Sequence, residues 1–563
     1  MSNAQKYNLT DKRLFPLYLS LMALAVYLWT APLRDLYGLE ARNGLFVKTM
    51  VTDGPGLIPS IMGSPYLDYP PLYFWLAWFF SLPAGHVSTV AAILPSTLAA
   101  AAMVGITFML AKNFQPRTAL ISALLLATCP DFWLKGERAT IDMLLALWVS
   151  LAVFFLYSRY RTDVNRKGTL KELAALAMML LAFLTKGPVG LVLPMGIWST
   201  FLIVEKKWRT LRAFAVKFLL LAAACIGGEL LFLRQTGGTE LIAEVFATQL
   251  SGRLADKANE PAYYYLIYLV QGVAPWWIPA CWVFHRPGGR NLIGQYIRTF
   301  LADFFSHETM RLAACWFFFV LALFTAASSR HSRYLLPLFP ALFLLIGRGI
   351  GLFLEQRSFS FQRHAAAFCR SFFFLLVAAA TAMYAAAPLS YRPPFPYWLA
   401  WVALSILIFV LIGRKTRHDF LPLGLALLCV ASAMSAESIL IEPWLSQQES
   451  GRQFVKATEA TIERDIPVVL WQINPDGDGI KYALFSNRRS EELFFASSAA
   501  QIREIPLPFL LVAFEKSENE VLNLSRRQSM REISRGMLHK EMIISWLVQD
   551  NRQGSTLLQG DAE

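Results

Sequence analysis

The chain has 563 residues, of which 56% are hydrophobic and only 16% charged; an ordinary soluble domain carries about 25% charged residues. That balance, with a mean hydropathy of +0.43, excludes a disordered chain, a collagen and a disulfide scaffold, and leaves a polytopic α-helical membrane protein. The 52 Lys and Arg exceed the 39 Asp and Glu by 13, an excess that fits either nucleic acid or membrane topology, depending on where it lies.

A membrane span needs about 20 mostly apolar residues. The first such stretch runs from Leu14 to Pro32. It follows Lys12 and Arg13 without a small-residue cleavage site, so it reads as an uncleaved anchor. Further spans are predicted to begin near Val90, Thr118, Thr140, Leu173, Pro188, Leu211, Tyr263, Leu312, Tyr334, Ser371, Trp398 and Phe420, about 13 in all. With the N-terminus in the cytoplasm, the basic clusters at 112–117, 159–171, 206–212, 286–298, 357–370 and 414–417 fall on the cytoplasmic side. This alternation predicts an odd number of spans and an external C-terminus. It gives the basic excess a topological meaning, and no nucleic-acid partner is expected.

Three segments then face the exterior: a long first loop over 33–89, a shorter one over 234–262, and a tail. The first loop contains Gly44 to Val51, suited to a short amphipathic helix, and the aromatic run Tyr73 to Phe80, too short to span; both suit the headgroup level of a bilayer. The division predicted is a transmembrane domain over 1–436 and a soluble α/β domain over 437–563. In the latter, Gln447 to Glu463 reads as an amphipathic helix, and 467–473, 509–514 and 543–548 read as buried strands. Asn474 to Gly479 looks like the start of a calcium loop, but it follows a strand and reads as a turn. The six cysteines lie in or beside apolar runs without a CxxC pair and read as small buried residues.

Five clusters carry candidate chemistry. They are Arg34 to Arg42, Gly63 to Trp75, Lys135 to Met143, Leu184 to Pro188 and Arg330 to Pro337. Singly each has a plain explanation: acids suit helix starts, cations at span ends snorkel, and a Pro pair breaks a helix. All five fall on the external side in the predicted topology. Together they can supply carboxylates for acid–base work and cations for phosphate.

In order and spacing these clusters resemble the GT-C glycosyltransferases, in particular the ArnT-type lipid A aminoarabinose transferases and the protein O-mannosyltransferases. The residues carrying the resemblance are Glu40, Ala41 and Arg42, then Met50, then Pro70, Pro71 and Leu72 ahead of Phe74 and Trp75. Asp142 and Met143 follow, then Leu184–Pro188, Tyr263–Tyr265, Pro275 with Trp276, and Arg333–Pro337. The likeness covers roughly the first 350 residues. Leu39 stands where the family pattern has the first acid of an Asp-Glu pair. Tyr69 stands where it has a Lys before Pro-Pro, and Gln249 where it often has a His.

The resemblance implies an all-α GT-C membrane domain in the plasma membrane of a bacterium, with a periplasmic C-terminal domain. It implies inverting transfer of a sugar from a polyprenyl-phosphate carrier to a periplasmic acceptor, lipid A or a related glycolipid foremost and protein hydroxyls as the alternative. Asp142 and Glu40 take the catalytic or acceptor-orienting role. Arg42, Arg138, Lys186 and Arg333 meet phosphate charge, Arg253 is a further donor contact, and Asp35 and Tyr69 line the substrate site. No cofactor is required; Asp68 is the candidate ligand should a divalent cation bind. Arg138 and Asp142, four apart, would pair directly if they shared a helix. Two other classes stay open: a transporter of lipid-linked sugar, and a GT-C scaffold that binds glycolipid without turnover.

Overall fold

The apolar stretches fold as helices because a bilayer interior offers no partner for backbone N–H and C=O groups, which the helix satisfies internally. The computed structural model describes residues 14–112, 114–162, 166–246, 260–277, 289–355, 359–389, 391–416, 420–524 and 528–550. Among them, ten helices are long and apolar enough to cross a membrane, or eleven if one bent pair forms a single span. That is fewer than the 13 predicted, and the differences are local. The stretch after Thr118 is two helices, Pro116–Ala127 and Pro130–Gly136, bent by 61° at Thr128 and Cys129. Pro130 cannot continue the first helix and starts the second. Val189–Val204 is a shorter apolar helix. The helix near Tyr263 runs only Tyr264–Gly272, and residues 278–288 lie outside the described region.

The first loop holds two helices, Leu39–Asp53 and Leu72–Ser81. The first is longer than Gly44 to Val51, and Glu40 lies in its opening turn. Leu45, Phe46 and Val47, which point in successive directions around the helix, are all buried, so it is enclosed on several sides. The rings of Phe46 and Phe74 meet at 4.8 Å, joining the two helices.

Two chain reversals set the site. Gly187 adopts the left-handed conformation (φ +65) and its N–H bonds the Phe183 carbonyl at 2.7 Å. That cap ends Arg166–Lys186 with Lys186 as its last residue. Gly451 (φ +70) ends the last long helix, Leu421–Ser450, and opens Arg452–Ala460. A Cβ there would lie 2.4 Å from Leu538. The helix predicted over 447–463 is therefore broken at Gly451. Leu421–Ser450 carries straight through residue 437.

Beyond Gly451 lies a five-stranded sheet in the order 493–496, 468–471, 509–514, 541–550, 528–538, parallel across the first three strands and antiparallel across the last two pairings. Phe509–Phe514 is buried at every position, which is why it reads as an unbroken apolar run. The sequence does not single out Leu493–Ala496 at the edge, or the polar Gln528–Leu538. Both are fixed by pairing with neighbours. Asn474 accepts the Asp476 N–H at 3.0 Å, an Asx turn leading into helix Asp478–Phe485. Cys129, Cys225, Cys315, Cys369 and Cys429 are unbridged; Cys281 lies outside the described residues.

Candidate functional site

Helix Ile141–Tyr160 begins after Thr140, and Asp142 sits in its first turn, where the helix dipole favours a negative charge. Arg138 precedes that helix, so the two residues do not stack four apart on one face, and the direct Arg138–Asp142 pair does not form. Asp142 is instead held by two cations from elsewhere. One carboxylate oxygen meets Lys186 Nζ, and the other lies 3.3 Å from Arg333 Nε. Both side chains of the Asp142–Lys186 pair are under 10% exposed. Tyr334 lies beneath both cations, its ring centroid 4.2 Å from Lys186 Nζ and 5.5 Å from the Arg333 guanidinium carbon.

Arg138 turns to the last long helix. It donates to Glu442 Oε1 at 2.6 Å and to the Tyr37 hydroxyl at 3.0 Å, and Tyr37 donates to Glu442 Oε2 at 2.6 Å. Glu40 is buried and committed. Arg34 grips both its oxygens, at 2.6 and 3.0 Å, and the Ala139 N–H donates to Oε1 at 2.7 Å. Arg34 also donates to the Glu137 carbonyl, and Asn43 to the Ala139 carbonyl at 2.8 Å. Glu40 thus braces the first loop against the segment that positions Asp142.

A cavity of about 450 Å³ opens between these elements. Glu40, Arg42, Tyr69, Arg138, Asp142 and Arg333 from the predicted set line it. Leu39, Tyr264, His331 and Lys135 join them, with Glu449 from the end of the last helix. Lys540 of the C-terminal domain pairs with Glu449 at 3.0 Å, so the cavity lies on the same side of the helices as that domain. Burial and the neighbouring Arg333 hold the His331 imidazole below its usual pKa. Arg42 lies over the Tyr66 ring at 5.7 Å, and Tyr66 donates to Asp68 at 2.9 Å.

Tyr69 also lines a second cavity of about 350 Å³. Its walls are mainly apolar, with Leu57, Trp75, Phe183, Phe232 and Leu233, and Glu229 is the one carboxylate among them. A polar chamber and a greasy groove thus share one tyrosine.

Other predicted residues fall elsewhere. Asp35 is not part of either wall; Arg452 of the C-terminal domain holds it at 2.5 Å, with Ser450 Oγ at 3.3 Å. Asp68 lines neither cavity. Among the described residues no three His, Cys, Asp or Glu side chains converge as a metal site would require. Arg253 lies outside the described residues. Arg34 and Tyr37 lie in the first candidate cluster without having been given a role, and Glu442 lies outside all five clusters. An acid inside a 30-residue apolar helix is itself a flag, and Glu442 carried it.

Overlay on the crystal structure of ArnT from Cupriavidus metallidurans bound to undecaprenyl phosphate gives a TM-score of 0.69 over 95% of this chain and 98% of that one, at 17% identity. The apo form of that protein gives 0.66 over 94% and 97%. The chain has the ArnT-like GT-C fold. The dolichyl-phosphate-mannose-protein mannosyltransferase family matches residues 68–230. An undecaprenyl phosphate-α-4-amino-4-deoxy-L-arabinose arabinosyl transferase from Pectobacterium carotovorum is 24% identical over 55% of this chain and 54% of its own length. One from Shewanella sediminis is 26% identical over 73% and 75%. The chain therefore spans about half of the first relative and three quarters of the second. The expected multi-pass, mostly helical architecture with a small strand-containing C-terminal domain is what the structure has.

Proposed function

We propose that this chain is an integral-membrane glycosyltransferase that moves a sugar from a polyprenyl-phosphate carrier to an acceptor at the membrane surface. The observation that carries this reading is the junction of the two cavities at Tyr69. A polyprenyl phosphate needs an apolar groove for its chain and cations for its phosphate, and both lie here side by side. The solved ArnT holds undecaprenyl phosphate, and the relatives are described as undecaprenyl-phosphate-dependent.

In this reading the carrier phosphate competes with Asp142 for Lys186 and Arg333. Arg suits a phosphate because its planar fork donates two parallel hydrogen bonds. Drawing the cations away leaves Asp142 with spare acceptor capacity. An acceptor hydroxyl then attacks the anomeric carbon and gives its proton to Asp142. The bond from that carbon to the phosphate oxygen breaks, and polyprenyl phosphate leaves with the electron pair, its charge met by Lys186 and Arg333. Attack opposite the leaving group inverts the anomeric centre. Arg42 lies at the same cavity as a further phosphate contact. Glu40 and Arg138 act through the brace they form with Arg34, Tyr37 and Glu442. We take the step to need no cofactor, and activity in the presence of a chelator tests that.

The acceptor we favour is lipid A or a related phosphoglycolipid, since the chamber carries several cations and the relatives act on aminoarabinose carriers by name. Basic loops on the opposite face support a bacterial inner-membrane location with the C-terminal domain in the periplasm. The test is the purified protein in lipid with a polyprenyl-phosphate sugar and lipid A. Release of polyprenyl phosphate with glycosylated lipid A supports the reading. Translocation of the intact donor without release favours a transporter, and donor binding without product favours a non-catalytic scaffold.

A further inference from the structure

A third cavity, of about 620 Å³, lies on the other side of helix Leu39–Asp53 from the transfer chamber. Leu39, Glu40, Arg42 and Asn43 face the chamber, whereas Lys48, Val51 and Thr52 line this third space. Its remaining walls come from 32–36, from 85–90 at the start of membrane helix Thr89–Ala111, and from the C-terminal domain.

The charge on its walls is one-sided. Arg34, Lys48, His86, Arg452 and Lys456 line it, and no Asp or Glu does. The neighbouring carboxylates are already occupied. Asp35 is held by Arg452, Glu40 by Arg34, and Glu459 by Ser486 and Asn487. Lys48 spends its three N–H donors on the carbonyls of Ala483, Ser486 and Arg488, at 2.6, 2.6 and 3.0 Å. It therefore contributes field rather than a hydrogen bond. Lys456 is exposed and makes no ion pair or hydrogen bond among the described residues. His86 is exposed, with only the Ala84 carbonyl at 2.9 Å from Nδ1.

Two further features point to the same ligand. The first turn of the 23-residue helix Thr89–Ala111 forms part of the wall, and its N-terminus carries partial positive charge. A membrane helix that starts here also puts the cavity at headgroup level. Val87 and Val90 on the same wall offer apolar contact to the first acyl carbons of a lipid, which a free ion lacks.

We propose that this cavity binds the phosphate group of an anionic membrane-lipid headgroup, with Lys456 as the direct cationic contact, His86 as a hydrogen-bond contact, and Lys48 and the N-terminus of Thr89–Ala111 supplying positive field, while Arg34 and Arg452 are balanced by Glu40 and Asp35. The bound phosphate bridges the first-loop segment 85–90 and the C-terminal domain helix Arg452–Ala460. It is a site separate from the one where transfer is proposed, and it stands whether or not that transfer occurs.

The test uses the full chain in a neutral detergent, with lipid retention read by native mass spectrometry. Phosphatidic acid, phosphatidylcholine and inorganic phosphate serve as probes. Wild type retains phosphatidic acid over phosphatidylcholine. The double variant Lys456→Ala, His86→Ala weakens that retention about tenfold, as loss of one cation and one hydrogen-bonding ring at a lipid surface requires, while Lys456→Arg retains it. Both altered side chains are exposed, and an unchanged melting temperature separates lost binding from lost fold. Should the double variant not fold, Lys456→Gln alone gives the same reading at a smaller size. Equal retention of phosphatidic acid by the double variant and wild type overturns the proposal. So does wild-type binding of inorganic phosphate without discrimination between the two lipids.

Discussion

Lys186 and Asp142 lie 44 residues apart in the chain and form a buried ion pair where one membrane helix ends and another begins. Each is placed by a backbone device: Gly187 in the left-handed conformation stops the first helix at Lys186, and Asp142 occupies the first turn of the second. Arg333 and the Tyr334 ring complete the arrangement.

Asp142→Asn keeps the shape but removes both the charge and most of the basicity. Release of polyprenyl phosphate is expected to fall about 100-fold or more, the range for loss of a general base, with the protein still folded and still binding the carrier. Transfer at the wild-type rate would remove Asp142 from the reaction. Lys186→Ala is expected to raise the donor KM as well as to lower kcat, because it takes away a phosphate contact.

Glu40→Gln separates bracing from chemistry. The change leaves Arg34, buried to within 6%, without its carboxylate. Breaking one side of a buried pair costs about 3–5 kcal/mol. The expected result is a lower melting temperature in detergent, with the folded fraction keeping kcat within a few-fold of wild type. A variant that melts normally yet transfers no sugar would return Glu40 to the catalytic list.

Gly228→Phe tests the apolar groove. Gly228 lines that cavity, and a Cβ there would meet nothing within 4 Å, so the fold should accept the side chain while the groove loses volume. Donor binding is expected to weaken about tenfold or more, since a filled groove removes apolar burial of the prenyl chain. Binding of a short water-soluble sugar phosphate should be unchanged. Equal loss for both ligands would mean the groove does not hold the chain.

Lys48→Met tests how the C-terminal domain is seated. The lysine satisfies carbonyls around the end of helix Asp478–Phe485. Methionine fills similar space without donors. Leaving buried carbonyls unpaired costs roughly 1–3 kcal/mol each. Faster protease cleavage near Gly451 is the expected readout, at unchanged helix content. Wild-type cleavage kinetics would show that the domain is held by other contacts.

Legibility differed between the membrane domain and the tail. Long apolar runs such as Thr89–Ala111 announce themselves, because every residue of a span must be compatible with lipid or with a neighbouring helix. The bend at Thr128 and Cys129 and the short helix Val189–Val204 did not, since hydropathy averages over a break that only backbone geometry reveals. In the tail, Phe509–Phe514 was legible as a central strand. The edge strand Leu493–Ala496 and the polar Gln528–Leu538 were not, because their conformation comes from the strands beside them. For the site, Asp142, Lys186 and Arg333 were legible as candidates from their motifs. Arg138 lines the chamber as well, and its pairing with Glu442 was not legible.

The sequence by itself determined the class of protein, the helical membrane architecture, the gathering of the charged clusters at one end of the helices and the identity of most of the chamber's charged residues. Those properties follow from local composition and from the order of motifs along the chain. Only the tertiary structure decided which charge meets which. Arg34 spans to Glu40 and Arg138 to Glu442 across 304 residues, while Asp142 is left to Lys186 and Arg333. Pairing depends on helix ends brought together through folding, and a buried carboxylate takes whichever cation the packing delivers. The basic cavity behind Leu39–Asp53 is a feature of the same kind, since its walls come from segments about 400 residues apart and nothing in the local sequence of either one announces the other.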